Sequence, residues 1–351
     1  MKKSLLAFAV LGAFAGAASA QSSVTIFGTV DLNARYIKND GSARRVSLSQ
    51  DGLNSSQLGF SGIEDLGGGL KAGFMLLGSV SADSGAMSTT KFFGRRSTVS
   101  LFGANWGEVR LGRDYVPSYI NSYTFDPFGN VGIGNFLNVS EFDGQYFNGQ
   151  PTRLRADNSI GYFLPSNLGG FYGQAMVAAG ESAVNGKYIG GRIGFASGPF
   201  NVALGLGEQD VAVTTRGYKT ANLGGSWDLG VVKLMGQYSR EKLQGLAATT
   251  STERSYLLGV IAPVGVGEIH ASWARSDLSN SPNGANLYAV GYVYNLSKRT
   301  ALYATVADIK NKGAQNYSVS RGTISGPSSI TALPAAGGNS RGAEFGIRHF
   351  F

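Results

Sequence analysis

The chain has 351 residues, of which 52 are glycine, and only 15% are Asp, Glu, Lys or Arg. There is no cysteine, which excludes disulfide frameworks, thiolate metal sites and cysteine nucleophiles, and two histidines are too few for a three-histidine metal site. The formal net charge is +8, and a hydrophobic fraction of 43% is too high for a disordered chain.

The first 20 residues have the pattern of a secretory signal peptide. Two lysines follow Met1, residues 5–17 form an apolar run, and Ala18-Ser19-Ala20 matches a cleavage site. No later apolar run reaches the roughly 18 residues that a transmembrane helix needs. Because no linker or change of composition divides the rest, we predict one domain over residues 21–351.

Most of that domain alternates apolar and polar residues with a period of two, which is typical of half-buried β-strands. Between residues 23 and 37 the even positions are apolar and the odd positions mostly polar. The alternation recurs at 69–80, 200–206, 221–229, 232–238 and 288–294. Seven short and eight longer polar connections separate such segments, which predicts 16 strands.

The predicted fold is all-β, a 16-stranded antiparallel transmembrane β-barrel. An open sheet of that size would expose two edges and accumulate twist, and closure removes both problems. In a membrane barrel the apolar face meets lipid and the polar face meets water in the lumen. A soluble β-sandwich or propeller is the alternative, but a propeller would show repeats of roughly 40–50 residues, and none is visible.

Several stretches resemble the trimeric general porins of the Gram-negative outer membrane, of the β-proteobacterial type. They are "SSVTIFGTVDL", "LGFSGIEDLGGGLKAGF", "GRRSTVSLFGANWGEVRLGRD", "RADNSIGYFLPSNLGGFYG", "GYVYNLSKRTALYATVA" and "GIRHFF". The resemblance implies a homotrimer in the lipid and lipopolysaccharide of the outer membrane, with a water-filled pore. Small hydrophilic solutes would cross by passive diffusion, with no cofactor. Nucleic-acid binding has no support, because the basic residues are scattered over alternating strands.

The longest early connection, residues 114–157, is the predicted constriction loop. It is rich in Tyr and Phe, which favours folding inward against the wall, and the resemblance implies the same for the third long loop. The alternative is an external cap.

Charged residues on and around this loop are the candidate selectivity site. The acidic candidates on the loop are Asp126, Glu141 and Asp143. The basic candidates facing them are Arg95, Arg96, Arg110, Arg153 and Arg155. Guanidinium groups stay charged at all relevant pH, so a cluster of them in a narrow throat attracts anions.

Strand parity points Arg96 and Arg110 into the lumen and Arg95 towards lipid, unless a bulge at Gly94 re-aims the pair. The resemblance implies arginines at the positions of Arg95, Arg96 and Arg155, with Arg153 adjacent. It also implies basic residues at two positions that are Gln57 and Ser61 in this chain, which weakens the expected anion preference.

The sequence therefore predicts a porin that favours anions, and a channel of the same fold dedicated to one small organic anion is the alternative. A membrane-embedded hydrolase is the enzymatic alternative, built on Glu268, His270 and Ser272 on one strand face. Neighbours at i and i+2 stand about 7 Å apart along a strand, which is too far for a catalytic relay. We expect no enzymatic activity and no metal site.

Overall fold

The computed structural model describes residues 23–87, 91–140, 154–181, 186–211, 214–244, 250–320 and 333–351. The predicted signal peptide lies outside these residues, and its removal stays a prediction. Among the described residues, no helix has both the length and the apolar character to cross a membrane.

The described ranges contain eighteen β-strands, and every pairing between them is antiparallel. They are β1 (Ser23–Asn39), β2 (Arg45–Gln50), β3 (Gln57–Gly67), β4 (Leu70–Ser81), β5 (Ala86–Met87), β6 (Arg96–Gly103), β7 (Gly107–Tyr115), β8 (Arg155–Phe163), β9 (Phe171–Ala178), β10 (Tyr188–Ser197), β11 (Phe200–Val211), β12 (Thr214–Asp228), β13 (Lys233–Gln244), β14 (Thr250–Val264), β15 (Gly267–Leu278), β16 (Gly284–Asn295), β17 (Thr300–Lys312) and β18 (Ser340–Phe350).

The wall is a closed barrel of 16 strands, which confirms the predicted fold. The last strand, β18, pairs with β1 from Thr29–Phe350 to Asn39–Ser340. Two of the eighteen strands add no wall position. β2 pairs with one half of β1 while β3 pairs with the other half, and β5 is a two-residue pairing with β4.

The alternation of exposure along β1 confirms the predicted faces. Val24 and Ile26 are 63% and 61% exposed on the outer surface, whereas Asp31 and Arg35 are 0% and 1% exposed. β2 lies within residues 38–54, one of the longer polar connections that the sequence predicts between strands. Its Val46 and Leu48 point outward between inward serines, so the same alternation runs through this short strand.

A short segment between β2 and β3, residues 51–56, is held against the inner wall by Asp31. The Asp31 carboxylate accepts backbone hydrogen bonds from Gly52 (3.2 Å), Leu53 (2.9 Å) and Asn54 (2.7 Å), and a further one from the Tyr303 hydroxyl. These bonds satisfy a carboxylate that is otherwise shielded from water.

Next to this segment, Arg35 of β1 and Glu344 of β18 form a fully buried ion pair. The Arg35 Nε donates to Glu344 Oε2 at 2.9 Å, and both side chains are 0% exposed. Arg35 also donates to the carbonyl of Gln50 at 3.1 Å. Glu344 Oε1 accepts from the backbone N–H of Ile133, which belongs to the long loop after β7, at 3.3 Å.

The Glu344→Ala variant should lower the free energy of unfolding by about 3–5 kcal/mol, because it leaves Arg35 as a buried, unpaired charge. Unfolding in detergent, followed by tryptophan fluorescence, measures the change. The matched control is Glu208→Ala, which breaks the half-exposed pair with Lys219 and should cost less than about 1 kcal/mol. Equal losses in the two variants would contradict this account of the interior.

Candidate pore constriction

The connection between β7 and β8 begins with a short helix that packs on the inner wall. Helix α1 (Pro117–Thr124) starts with a proline in its first turn, where the missing N–H has no intrahelical partner to lose. The Asn121 side-chain amide donates to Asn222 Oδ1 of β12 at 2.9 Å, and Arg192 of β10 donates to Asn121 Oδ1 at 2.8 Å.

The part of the loop that follows α1 is also bound to inward-facing groups. The carbonyl of Pro127 lies 2.7 Å from His270 Nδ1, and the side-chain amide of Asn138 donates to the carbonyl of Val319 at 2.9 Å. The apolar loop residues are buried in one cluster with the inner wall. This cluster contains Phe128, Ile133, Phe136, Leu137 and Val139 from the loop, and Leu257, Leu287 and Ile309 from the strands.

Gly132 shows how closely this loop approaches the interior segment 51–56. Its φ of +67° lies in the left-handed region, and a Cβ there would lie 2.3 Å from the carbonyl oxygen of Gly52. The described residues of the loop, 116–140, thus lie inside the barrel and not on its outer end. Glu141, Asp143 and Arg153 lie outside the described residues.

Asp126 organises the turn after α1. Its two carboxylate oxygens accept backbone hydrogen bonds from Phe128 (3.0 Å), Asn130 (3.0 Å) and Phe136 (3.1 Å). Burial raises the pKa of Asp126 from 3.8 to about 6, against the opposing effect of these hydrogen bonds. Asp126 borders the main lumen cavity, but its oxygens are engaged with its own loop.

The space between the loop and the rest of the wall is a cavity of about 810 Å³, and both Arg95 and Arg96 line it. Strand parity alone pointed Arg95 towards lipid, with the alternative that a bulge at Gly94 re-aims it, and the structure has Arg95 facing inward. β6 begins only at Arg96, and Arg95 precedes it, where a turn at Lys91–Gly94 sets the side-chain direction. Arg95 therefore faces inward, with Nη1 3.4 Å from Ser79 Oγ. No register shift interrupts the pairing of β6 with β4.

Arg96 and Arg110 share one carboxylate. Arg96 Nε donates to Asp114 Oδ1 at 2.6 Å, and Arg110 Nη1 donates to Asp114 Oδ2 at 2.5 Å. Arg110 also binds Glu108 through two donors, at 2.7 and 3.0 Å. Both arginines are thus inward-facing and largely neutralised by acids on β7.

Arg155, at the start of β8, rests on an aromatic ring. Its guanidinium carbon lies 4.3 Å from the centroid of Tyr115, and its Nη2 donates to the Tyr115 hydroxyl at 2.9 Å. Among the described residues, no carboxylate lies within 4.0 Å of the guanidinium of Arg155 or of Arg95. The structure brings Arg95, Arg96, Arg110 and Arg155 to one side of the lumen.

Residues 7–314 match the family model of the Gram-negative porins. The chain belongs to this family. It is 43% identical to outer membrane porin protein 32 of Delftia acidovorans, with both chains covered completely. It is 32% identical to an outer membrane porin of Bordetella pertussis, over 89% of this chain and 95% of the relative.

Among solved structures, an anion-selective porin from Comamonas acidovorans is 39% identical, with a TM-score of 0.85 over 94% of this chain and 100% of that one. The protein is therefore an outer-membrane porin, a water-filled channel for passive diffusion of small hydrophilic solutes and ions. Members of this family are channels rather than enzymes.

Two basic residues of the lumen of this porin were not predicted from the sequence. Lys233 and Arg348 line the same cavity as Arg95. The alternation along β18 could have indicated that Arg348 faces the lumen, because its neighbours Ile347 and His349 point outward. Gln57 also borders this cavity, and Ser61 lines a smaller one of about 280 Å³ beside Arg96 and Arg110.

The geometry around His270 does not form a hydrolase triad. His270 Nε2 lies 2.9 Å from Glu268 Oε1. This distance is shorter than the spacing of about 7 Å between residues i and i+2 along a strand, because the two side chains lean together. The other ring nitrogen contacts the Pro127 carbonyl, and the buried Ser272 Oγ has no hydrogen-bond partner in the described part of the chain. Neither ring nitrogen is available to Ser272.

The raised pKa of Asp126 predicts a pH-dependent stability. The folded porin binds this proton more tightly than the unfolded chain, so Asp126 makes the free energy of unfolding fall as pH rises from 3.8 to about 6. Asp126→Asn, which keeps an acceptor oxygen for the loop, should flatten this part of the profile. Denaturant unfolding of both proteins across the same pH range tests this, and parallel profiles would contradict it.

Proposed function

We propose that this porin favours anions and that Arg95, Arg96 and Arg155 carry the preference. Arg110 and Arg153 add to the basic side, and Asp126, Glu141 and Asp143 belong to the loop side. The observation that carries the proposal is that Arg95 and Arg155 have no carboxylate within 4.0 Å among the described residues.

The balance of charge supports this preference. Four guanidinium groups face two carboxylates, Glu108 and Asp114, and Asp114 is shared between two of the arginines. Asp126 accepts three hydrogen bonds from its own loop, so it competes weakly for the arginines. Uncompensated guanidinium groups in a narrow, low-dielectric passage raise the local concentration of anions and repel cations.

The relationship to the anion-selective porin from Comamonas acidovorans points the same way. Gln57 and Ser61 weaken the expected anion preference, because these wall positions are neutral where the resemblance to the family implies basic residues. We therefore expect a channel in which chloride is preferred, with the preference concentrated near Arg95 and Arg155.

Replacing Arg95, Arg96 and Arg155 with serine should reduce the chloride-to-potassium permeability ratio by roughly an order of magnitude. The measurement is the zero-current potential of the purified porin in a planar bilayer under a KCl gradient. The wild type should show a potential of chloride sign, and the triple variant should move towards zero. Gln57→Arg should move the potential the other way.

The control replaces three basic residues of half-exposed ion pairs near the long connections, Lys219, Arg275 and Arg341, with serine. This changes the net charge by the same amount without touching the cavity. A wild-type potential of potassium sign, or equal shifts in the two triple variants, would overturn the assignment.

We further propose that the porin is a homotrimer embedded in lipid and lipopolysaccharide. A concave apolar area on the outer surface of β1, β2 and β15–β18 supports a neighbouring barrel there. Its lining includes the side chains of Tyr36, Val46, Val290, Ala304 and Phe345.

The molecular mass in detergent should correspond to three chains by sedimentation velocity. Ala304→Trp, which fills the concave area, should shift the population towards single barrels. Leu204→Trp on the outer face of β11 is the control and should leave the mass unchanged. A wild-type mass of one chain would contradict the trimer.

A further inference from the structure

Tyr115 at the end of β7 and Tyr119 and Tyr123 of α1 form a row of rings. The ring centroids of Tyr115 and Tyr119 are 5.6 Å apart with planes 13° from parallel, and those of Tyr119 and Tyr123 are 6.4 Å apart at 38°. Tyr119 and Tyr123 lie on one face of the helix because they are four residues apart, and Tyr115 extends the row by stacking on Tyr119. We call Tyr115, Tyr119 and Tyr123 the tyrosine row.

The tyrosine row borders the lumen cavity of about 810 Å³, which all three residues line. Tyr123 is 50% exposed, whereas Tyr115 and Tyr119 are partly buried. Burial raises the pKa of Tyr119, so its hydroxyl stays neutral at physiological pH. The pore thus presents a partly exposed aromatic surface to water, which an apolar, flat solute would cover favourably.

Arg95 lies beside the tyrosine row, and most of its guanidinium donors make no hydrogen bond to the described residues. Arg95 lies within electrostatic range of all three tyrosines. Among the described residues its side chain makes one hydrogen bond, the long one to Ser79, and its buried Nε has no partner there. Arg96 lies beside the Tyr115 end of the row, with its guanidinium carbon 5.7 Å from the Tyr115 ring centroid.

We propose that the tyrosine row and Arg95 form a subsite for planar aromatic carboxylates. The ring of the solute lies against Tyr119 and Tyr123, and its carboxylate accepts hydrogen bonds from the Arg95 guanidinium. This inference rests on the proposed anion preference and adds a solute class to it.

The chemistry separates this class from other anions. Chloride engages only the guanidinium groups, and an aliphatic carboxylate can add apolar contact with the tyrosine row but no stacking of aromatic rings. An aromatic ring stacked on a tyrosine adds a contact that corresponds to roughly a fivefold difference in affinity.

The test compares two acids of equal charge and similar size, benzoate and cyclohexanecarboxylate, as blockers of the chloride current in planar bilayers. The saturated ring is at least as hydrophobic, so a preference for benzoate reports on the flat aromatic ring. Wild-type porin should be half-blocked at roughly fivefold lower concentration of benzoate than of cyclohexanecarboxylate.

Variants of Tyr123 locate the subsite. Tyr123 is half exposed and its side chain makes no hydrogen bond to the described residues, so its replacement should not disturb folding. Tyr123→Phe keeps the ring and should keep the preference, whereas Tyr123→Leu should bring the two blocking concentrations together. Tyr238→Leu is the matched control, because Tyr238 packs against Tyr256 away from the cavity, and it should behave like the wild type.

The outcomes separate this subsite from the anion preference itself. Equal block by the two acids, with the chloride-sign potential intact, would overturn the subsite and leave the anion preference standing. A benzoate preference that survives in the combined Tyr119→Leu and Tyr123→Leu variant would also overturn it. A benzoate preference that is lost with Tyr123→Leu would support the subsite even if the KCl potential contradicted chloride selectivity.

Discussion

The buried polar centre formed by Asp31, Arg35 and Glu344 determines how the lumen is filled. A charge shielded from water is strongly unfavourable unless it is paired and hydrogen-bonded. Here Asp31 binds the backbone of residues 52–54, and Glu344 binds both Arg35 and the N–H of Ile133. One set of charges therefore holds both the interior segment and the long loop against the wall.

This arrangement builds an apolar cluster between the loop and the inner face of β14–β17. The loop residues Phe136, Leu137 and Val139 pack against strand residues such as Leu257 and Leu287. The cavity that remains is bordered by Arg95, Arg96 and α1, which packs on β10–β12. The tyrosine row and these arginines therefore line the same space.

Most of the wall could be predicted from the sequence, because lipid outside and water inside impose a strict alternation on every strand. β2 was missed although Val46 and Leu48 follow the same rule, because six residues are few for a periodic signal. The direction of Arg95 stayed open for a different reason: parity applies only within a strand, and Arg95 lies before one.

The candidate site was less predictable than the fold, because its contacts join residues far apart in the chain. Residue type identified Asp126 as a charged loop residue, but only the structure shows three backbone N–H groups bound to it. The sharing of Asp114 by Arg96 and Arg110 depends on where β6, β7 and the loop meet, and no spacing along the chain encodes it.

The neutral residues at positions 57 and 61 have a consequence beyond weaker basicity. Gln57 pairs across β3 and β4 with Ser79, and Ser79 in turn contacts Arg95. Arginine at position 57 would add a second guanidinium to the wall close to Ser79 and Arg95. With Gln57 there, Arg95 is the basic group at this point of the cavity that Tyr119 and Tyr123 also line. In the subsite proposed above, an anion held by Arg95 would therefore lie next to the aromatic rings, so ring chemistry would influence its passage.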